Sequence, residues 1–240
     1  MKQMPDDHQM PDSIIVHDFT AHGGSPTATP GRRRRVSPES KLRFVLHVGL
    51  IDIEPAIWRR LETADITLFK LDQILRLAFD WPDAEAHLFD TPLGFFSDAQ
   101  HGLNQRGFAD HIGDQRRVRM HDLFPDTQAD RSITYTYDVD NERWQHRCHC
   151  EAILEADLNR RLPRCLAAAG RPPFLEIGGA HAYQDFLNAL RDPQDPRHGE
   201  AQTIWNDFWP PDSDPATVDA QAIDVILHRY TLGMARGQIF

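Results

Sequence analysis

Three groups of side chains in this sequence are of types that do chemistry. His146, Cys148, His149 and Cys150 place thiols and imidazoles in one short run, the donor set that suits zinc. Asp138 with His87 or His146 offers a carboxylate and an imidazole for acid/base work. Trp58, Arg59 and Arg60, with His87, Trp144, His146 and Arg164, form an aromatic and cationic set of the kind that dominates binding surfaces. Each group also has a plainer role as core packing or as arginine stems laid over apolar rings.

Geometry decides against the first group. Sulfur ligands on one zinc lie roughly 3.7 Å apart given Zn–S bonds near 2.3 Å, whereas same-face neighbours on a strand start about 6.5–7 Å apart. Cys148 and Cys150 therefore read as buried core thiols, because free cysteine is among the most buried residue types. The spacing also opposes a disulfide between them, and Cys165 leaves an odd thiol in any pairing. No metal and no cofactor are expected. Nucleophilic catalysis fares no better: the sequence has no Gly-x-Ser-x-Gly elbow, no P-loop, no Gly-x-Gly-x-x-Gly and no His-Glu-x-x-His. An aspartate in a turn and a histidine on a half-buried strand are more often structural than catalytic.

Those residues need a scaffold, and the hydrophobic pattern supplies one. Leu42, Phe44, Leu46, Val48 and Leu50 alternate with Arg43, Val45, His47 and Gly49, which predicts an interior strand. Thr67 is placed to cap a helix carrying Leu71, Ile74, Leu75, Ala78 and Phe79 at helical spacing and stopped by Trp81-Pro82. His87-Leu88-Phe89 predicts a short strand, and residues 97–117 a long loop. Ile133, Tyr135 and Tyr137 face the returning Trp144, His146, Cys148 and Cys150 across an Asp140-Asn141-Glu142 turn, the pattern of a hairpin. Tyr183, Phe186, Leu187 and Leu190 mark a helix after Gly178-Gly179. Pro215 is expected to open a last helix with Val218, Ala222, Val225 and Ile226 inward. Trp205 to Pro211 reads as helix packing. This order of elements predicts an α+β fold, a mixed sheet with helices on one side, over residues 41–240. Residues 1–40 are rich in Pro, Gly, Ser and Asp, lack periodicity and are expected to be a disordered tail.

Composition bounds the function. The chain of 240 residues carries 26 Lys+Arg against 36 Asp+Glu, a net charge of −10, which repels polyanions at long range. Nucleic acid is thus an improbable partner for the domain; weak contact by Arg32, Arg33, Arg34 and Arg35 in the tail is the exception. No apolar run reaches the ~18 residues that span a bilayer, and Met1 opens no signal segment. Three cysteines without a disulfide framework agree with a cytoplasmic setting.

A series of short motifs carries a family resemblance over roughly residues 41–230: Ile53 with Pro55-Ala56-Ile57-Trp58-Arg59-Arg60; Thr67-Leu68 with Leu71; Trp81 with His87 and Phe89; and Val118-Arg119 leading to Asp122-Leu123. Further along come Tyr135 with Tyr137-Asp138, Trp144 with His146, Pro163-Arg164-Cys165-Leu166, Pro172-Pro173, Gly178-Gly179 with Tyr183, and Asp192-Pro193. In this order they resemble the plasmid pRiA open-reading-frame-three-like family. The resemblance implies an α+β fold and no defined activity; labels of resolvase or repressor kind attach to some relatives, yet the serine, arginines and basic helix-turn-helix of a serine resolvase are absent. The sequence departs from the family pattern at Glu85, where a histidine is usual, in a turn after Tyr137-Asp138 one residue longer, and in lacking cysteines after Cys165.

The reading that follows is a noncatalytic binding or regulatory module, bacterial and cytoplasmic, with a cleft or sheet edge around Trp58-Arg59-Arg60 and an unknown protein or small molecule as partner. An acid/base enzyme using Asp138, His87 and His146, and a DNA-associated accessory of mobile elements, are the alternatives.

Overall fold

The computed structural model describes residues 41–82, 86–98, 103, 111–124, 130–138, 144–211 and 213–235. The N-terminal tail with Arg32 to Arg35, Glu85 and the turn at 140–142 lie outside them.

Eight strands form one sheet in the order β5-β4-β3-β6-β7-β1-β2-β8. They are β1 (Leu42–Leu50), β2 (Trp58–Ala64), β3 (His87–Thr91), β4 (Gly94–Ser97), β5 (Ile112–Asp114), β6 (Ser132–Tyr137), β7 (Trp144–Glu155) and β8 (Arg164–Ala169). All pairs are antiparallel except β4 with β5, so the sheet is mixed. The helices are α1 (Leu68–Phe79), α2 (Met120–Leu123), α3 (Gly179–Arg191), α4 (His198–Phe208) and α5 (Ala220–Ala235).

The alternation in β1 works as the pattern predicts. Phe44, Leu46 and Val48 are fully buried and join one core with Leu71, Leu75 and Phe79 of α1, Leu187 of α3 and Leu227 of α5. Thr67 caps α1, its Oγ1 accepting from Lys70 N, and β1 sits inside the sheet between β7 and β2. The hairpin pairs Tyr135 with His146 and Ile133 with Cys148. The fold is thus the expected α+β arrangement.

Three local expectations need correction. β2 and β8 do not show in the pattern, because the inward positions of β2 are Arg59, Leu61 and Thr63, only one of them apolar, and Ala167 to Ala169 of β8 favour helix intrinsically. Pairing to β1 on one side and to each other on the other overrides both. The 97–117 stretch includes β5, which extends the sheet beside β4. The last helix starts at Ala220, and its buried residues are Ile223 and Leu227, whereas Val225 and Ile226 are 48% and 41% exposed. The stretch before it is a turn tied to the end of β8: Thr217 N donates to Asp214 O at 3.1 Å, and Gly170 N and Arg171 N donate to Ala216 O and Pro215 O at 2.8 and 2.9 Å.

Gly170 is required where β8 ends. Its φ is +76°, and a Cβ there would lie 2.7 Å from Ile57 Cγ1 and 2.9 Å from Ile57 Cα, so both backbone conformation and close approach exclude a side chain.

Candidate ligand-binding site

β2 divides the predicted constellation, because successive side chains of a strand point to opposite faces. Trp58, Arg60 and, through its pairing with Glu62, Arg164 lie on the helix-free face; Arg59 points to the helix-covered face. Trp144, His146 and His87 are also on the covered side and are buried, as is Asp138 at the end of β6. The eight residues therefore do not build one cleft.

On the helix-free face, Ser132, His149, His47 and Arg60 line up across four strands, with the His47 ring stacked on Trp58 at 5.1 Å. Its cations largely meet carboxylates. Arg60 binds Glu151 at 2.6 Å, Arg43 pairs with the buried Glu62, Arg160 lies 3.0 Å from Glu62, and Arg147 lies 3.5 Å from Asp130. Exposed pairs of this kind stabilise little, and they leave little net field to attract a polyanion.

On the covered side the imidazoles are built into the core. Trp81 Nε1 donates to His146 Nε2 at 3.1 Å, which leaves the proton on His146 Nδ1, facing Trp144 O at 3.0 Å and Tyr135 O at 3.3 Å. Burial drives the His146 pKa down to about 3, so the ring is neutral and both nitrogens are engaged. His87 Nε2 lies 2.7 Å from Gln115 Oε1, and its Nδ1 lies 3.4 Å from Asp72 Oδ1. Asp72 also accepts from Tyr135 Oη at 2.8 Å and pairs with Arg76. Sequence reasoning missed Asp72. The signal was a carboxylate in the apolar stripe of α1, four residues after Leu68 and three before Leu75.

The state of His146 has a measurable consequence. Below the unfolded value of 6.5 the unfolded chain takes up a proton that the folded chain refuses until about pH 3. Stability thus rises with pH through this window and is lost as pH falls. His146→Gln should flatten the dependence by about 1.4 kcal/mol per pH unit. Denaturant unfolding of both proteins at several pH values between 4 and 6 measures the slope; parallel slopes would mean that His146 titrates freely in the fold.

The cysteines are free and buried. Burial raises Cys148 to about 12 and both Cys150 and Cys165 to about 11, so none is a thiolate at neutral pH and none is activated as a nucleophile.

Arg59 is where fold and surface meet. Its Nε donates to Ala78 O at 2.8 Å, at the C-terminus of α1. Its NH1 group donates to Trp58 O and Ala169 O at 2.8 Å and to Gly170 O at 3.0 Å, while the guanidinium lies 4.8 Å from the Phe79 ring centre. A cation at a helix C-terminus complements the macrodipole. Among the described residues no carboxylate pairs with it, and desolvation lowers its pKa to about 10.

Beside Arg59 opens a cavity of about 240 Å³ between the end of α1, the loop after β8, the end of α4 and the start of α5. Leu77, Pro172, Val218, Ile223 and Ile226 supply apolar wall; Arg171, Trp209, Asp80 and Asp219 supply polarity. The Arg171 guanidinium stacks 4.7 Å from the Trp209 ring centre. Arg171 Nε and Trp209 Nε1 are both buried and have no hydrogen-bond partner among the described residues. Buried donors of this kind are uncommon in folded proteins. Asp219 is engaged in starting α5, with Oδ1 accepting from Gln221 N at 2.8 Å. His87, Asp138, Trp144 and His146 do not line this cavity.

Comparison with known proteins agrees with this fold. The chain is 33% identical over 156 residues to the uncharacterised protein y4hQ of Sinorhizobium fredii (strain NBRC 101917 / NGR234), a span of 65% of this chain and 76% of that one. It is similar in fold to the crystal structure of MM3350, a protein of unknown function from Methanosarcina mazei Go1. That match has a TM-score of 0.62 at 22% identity and covers 75% of this chain and 97% of the other. No described helix is long and apolar enough to cross a membrane. The sequence pattern of the plasmid pRiA4b ORF-3-like proteins matches residues 43–222, and the chain belongs to that family.

Proposed function

We propose that this protein is a noncatalytic binding module whose site is the cavity beside Arg59. The observation that carries the reading is the joint presence, in one apolar-walled cavity, of two guanidinium groups that pair with no carboxylate among the described residues and of two buried N–H donors that have no acceptor among them. Small-molecule sites combine apolar lining with a few polar groups in this way. The neutral, fully engaged His146 and the thiols held protonated by burial speak against acid/base or nucleophilic chemistry in the core. The paired charges of the helix-free face favour a small molecule over a nucleic acid as the partner.

Ala222 lines the cavity and is exposed, so Ala222→Trp obstructs the mouth without touching the core. The low-molecular-mass fraction of cells making the protein should raise the melting temperature of the wild-type chain and leave that of Ala222→Trp unchanged. Equal shifts for the two proteins would place any binding elsewhere.

A further inference from the structure

We infer that the cavity takes a small organic monocarboxylate, its carboxylate held by the stacked pair Arg171 and Trp209. The inference rests on the binding-module reading above and adds the chemical class of the ligand.

Arg171 Nε and Trp209 Nε1 are directional N–H donors, and both are buried without acceptors among the described residues. They belong to side chains that both line the cavity and stack on each other, so a small outward turn of the pair brings both donors to one oxyanion. Behind the cavity wall, Tyr183 Oη is buried and without a partner among the described residues; burial raises its pKa, and the nearby Arg171 charge offsets only part of that rise. Arg59 forms a closed floor, itself inaccessible, that adds positive charge and pairs with no carboxylate among the described residues. An acceptor that carries negative charge forms charge-assisted hydrogen bonds with Arg171, which are stronger than those a neutral carbonyl would form.

The walls restrict what is attached to that acceptor. Leu77, Val218, Ile223 and Ile226 call for an apolar body, and about 240 Å³ limits it to a ring or short chain. Asp80 and Asp219 also line the cavity, and two carboxylates oppose a doubly charged phosphate more than a singly charged carboxylate. A monocarboxylate with an apolar body meets all three conditions.

The test uses the full chain, benzoate as probe, benzamide as its uncharged counterpart, and inorganic phosphate at matched ionic strength. The chain has 5 tryptophans, so the Trp209 indole N–H signal in a proton–nitrogen correlation spectrum is identified by its loss in Trp209→Phe. Benzoate should move that signal saturably. Benzamide should bind at least tenfold more weakly, and phosphate should leave the signal in place. Arg171→Met should weaken benzoate binding tenfold or more while the rest of the spectrum superimposes, with Arg171→Lys recovering part of the loss.

Equal binding of benzamide and benzoate, indifferent to Arg171→Met but abolished by Ala222→Trp, would overturn the carboxylate assignment while leaving the cavity a ligand site. Phosphate moving the Trp209 signal as benzoate does would overturn the monocarboxylate class. Silence toward all three probes, with the thermal shift by the small-molecule fraction retained, would likewise overturn the class alone. Silence toward the probes together with loss of that thermal shift would overturn the binding-module reading as well.

Discussion

Trp144→Ala should lower the unfolding free energy by about 3–5 kcal/mol, while Trp58→Ala should cost about 1 kcal/mol. The two tryptophans read alike in sequence, each followed closely by basic residues, but the sheet gives them opposite surroundings. Trp144 is fully buried on the helix-covered face, stacked with Trp81 at 5.6 Å and edge-on to Tyr183 at 6.2 Å. Its removal leaves a cavity that Trp81 and Tyr183 cannot fill without shifting together. Trp58 lies on the open face, where its main ring contact is His47 and solvent replaces what is lost. Denaturant unfolding of both variants measures the difference. Equal costs would mean that the helix-free face is covered and that the assignment of faces along β2 is wrong.

Arg59→Met should cost about 3 kcal/mol. Methionine fills much of the same volume, so the loss is polar. The carbonyls of Ala78, Ala169 and Gly170 keep their burial and lose their donor, at about 1–3 kcal/mol for each unsatisfied group. Part of this is returned because a desolvated cation is removed. Arg59→Lys should not rescue the fold, since an ammonium cannot reproduce the planar fork that reaches the end of α1 and the end of β8 together. A cost below about 1 kcal/mol for Arg59→Met would show that those backbone ends are held by other contacts, and the cavity floor would then lose its rigidity.

The parts of this fold that were readable from sequence are those where one periodicity acts alone. Leu42 to Leu50, Thr67 to Phe79, the hairpin through Ile133 and Cys148, and the stripe of Tyr183, Phe186 and Leu187 all declare their buried faces by spacing. β2 and β8 were not readable because Arg59 and the alanines of β8 gain their environment only from strands distant in sequence. The phase of α5 was misjudged for the same reason: Pro215 and Ala216 are held by Gly170 and Arg171, so the helix begins later than the proline suggests.

Of the site, Arg59 was legible as a candidate because it follows a tryptophan at a strand start, and the structure gives it a mainly architectural task. Arg171 stood out only as the neighbour of Pro172-Pro173, and Trp209 only within the aromatic segment Trp205 to Pro211 that reads as helix packing. Their stacking depends on where β8 delivers the chain and where α4 ends, which no local pattern encodes.

The most direct test of the cavity as the binding site is a saturation-transfer difference spectrum of the cellular small-molecule fraction, recorded with the wild-type chain and with Ala222→Trp at equal concentration. Ligand signals with the wild-type protein that vanish with Ala222→Trp are the predicted result. Identical signals with both proteins, or none with either, would contradict it.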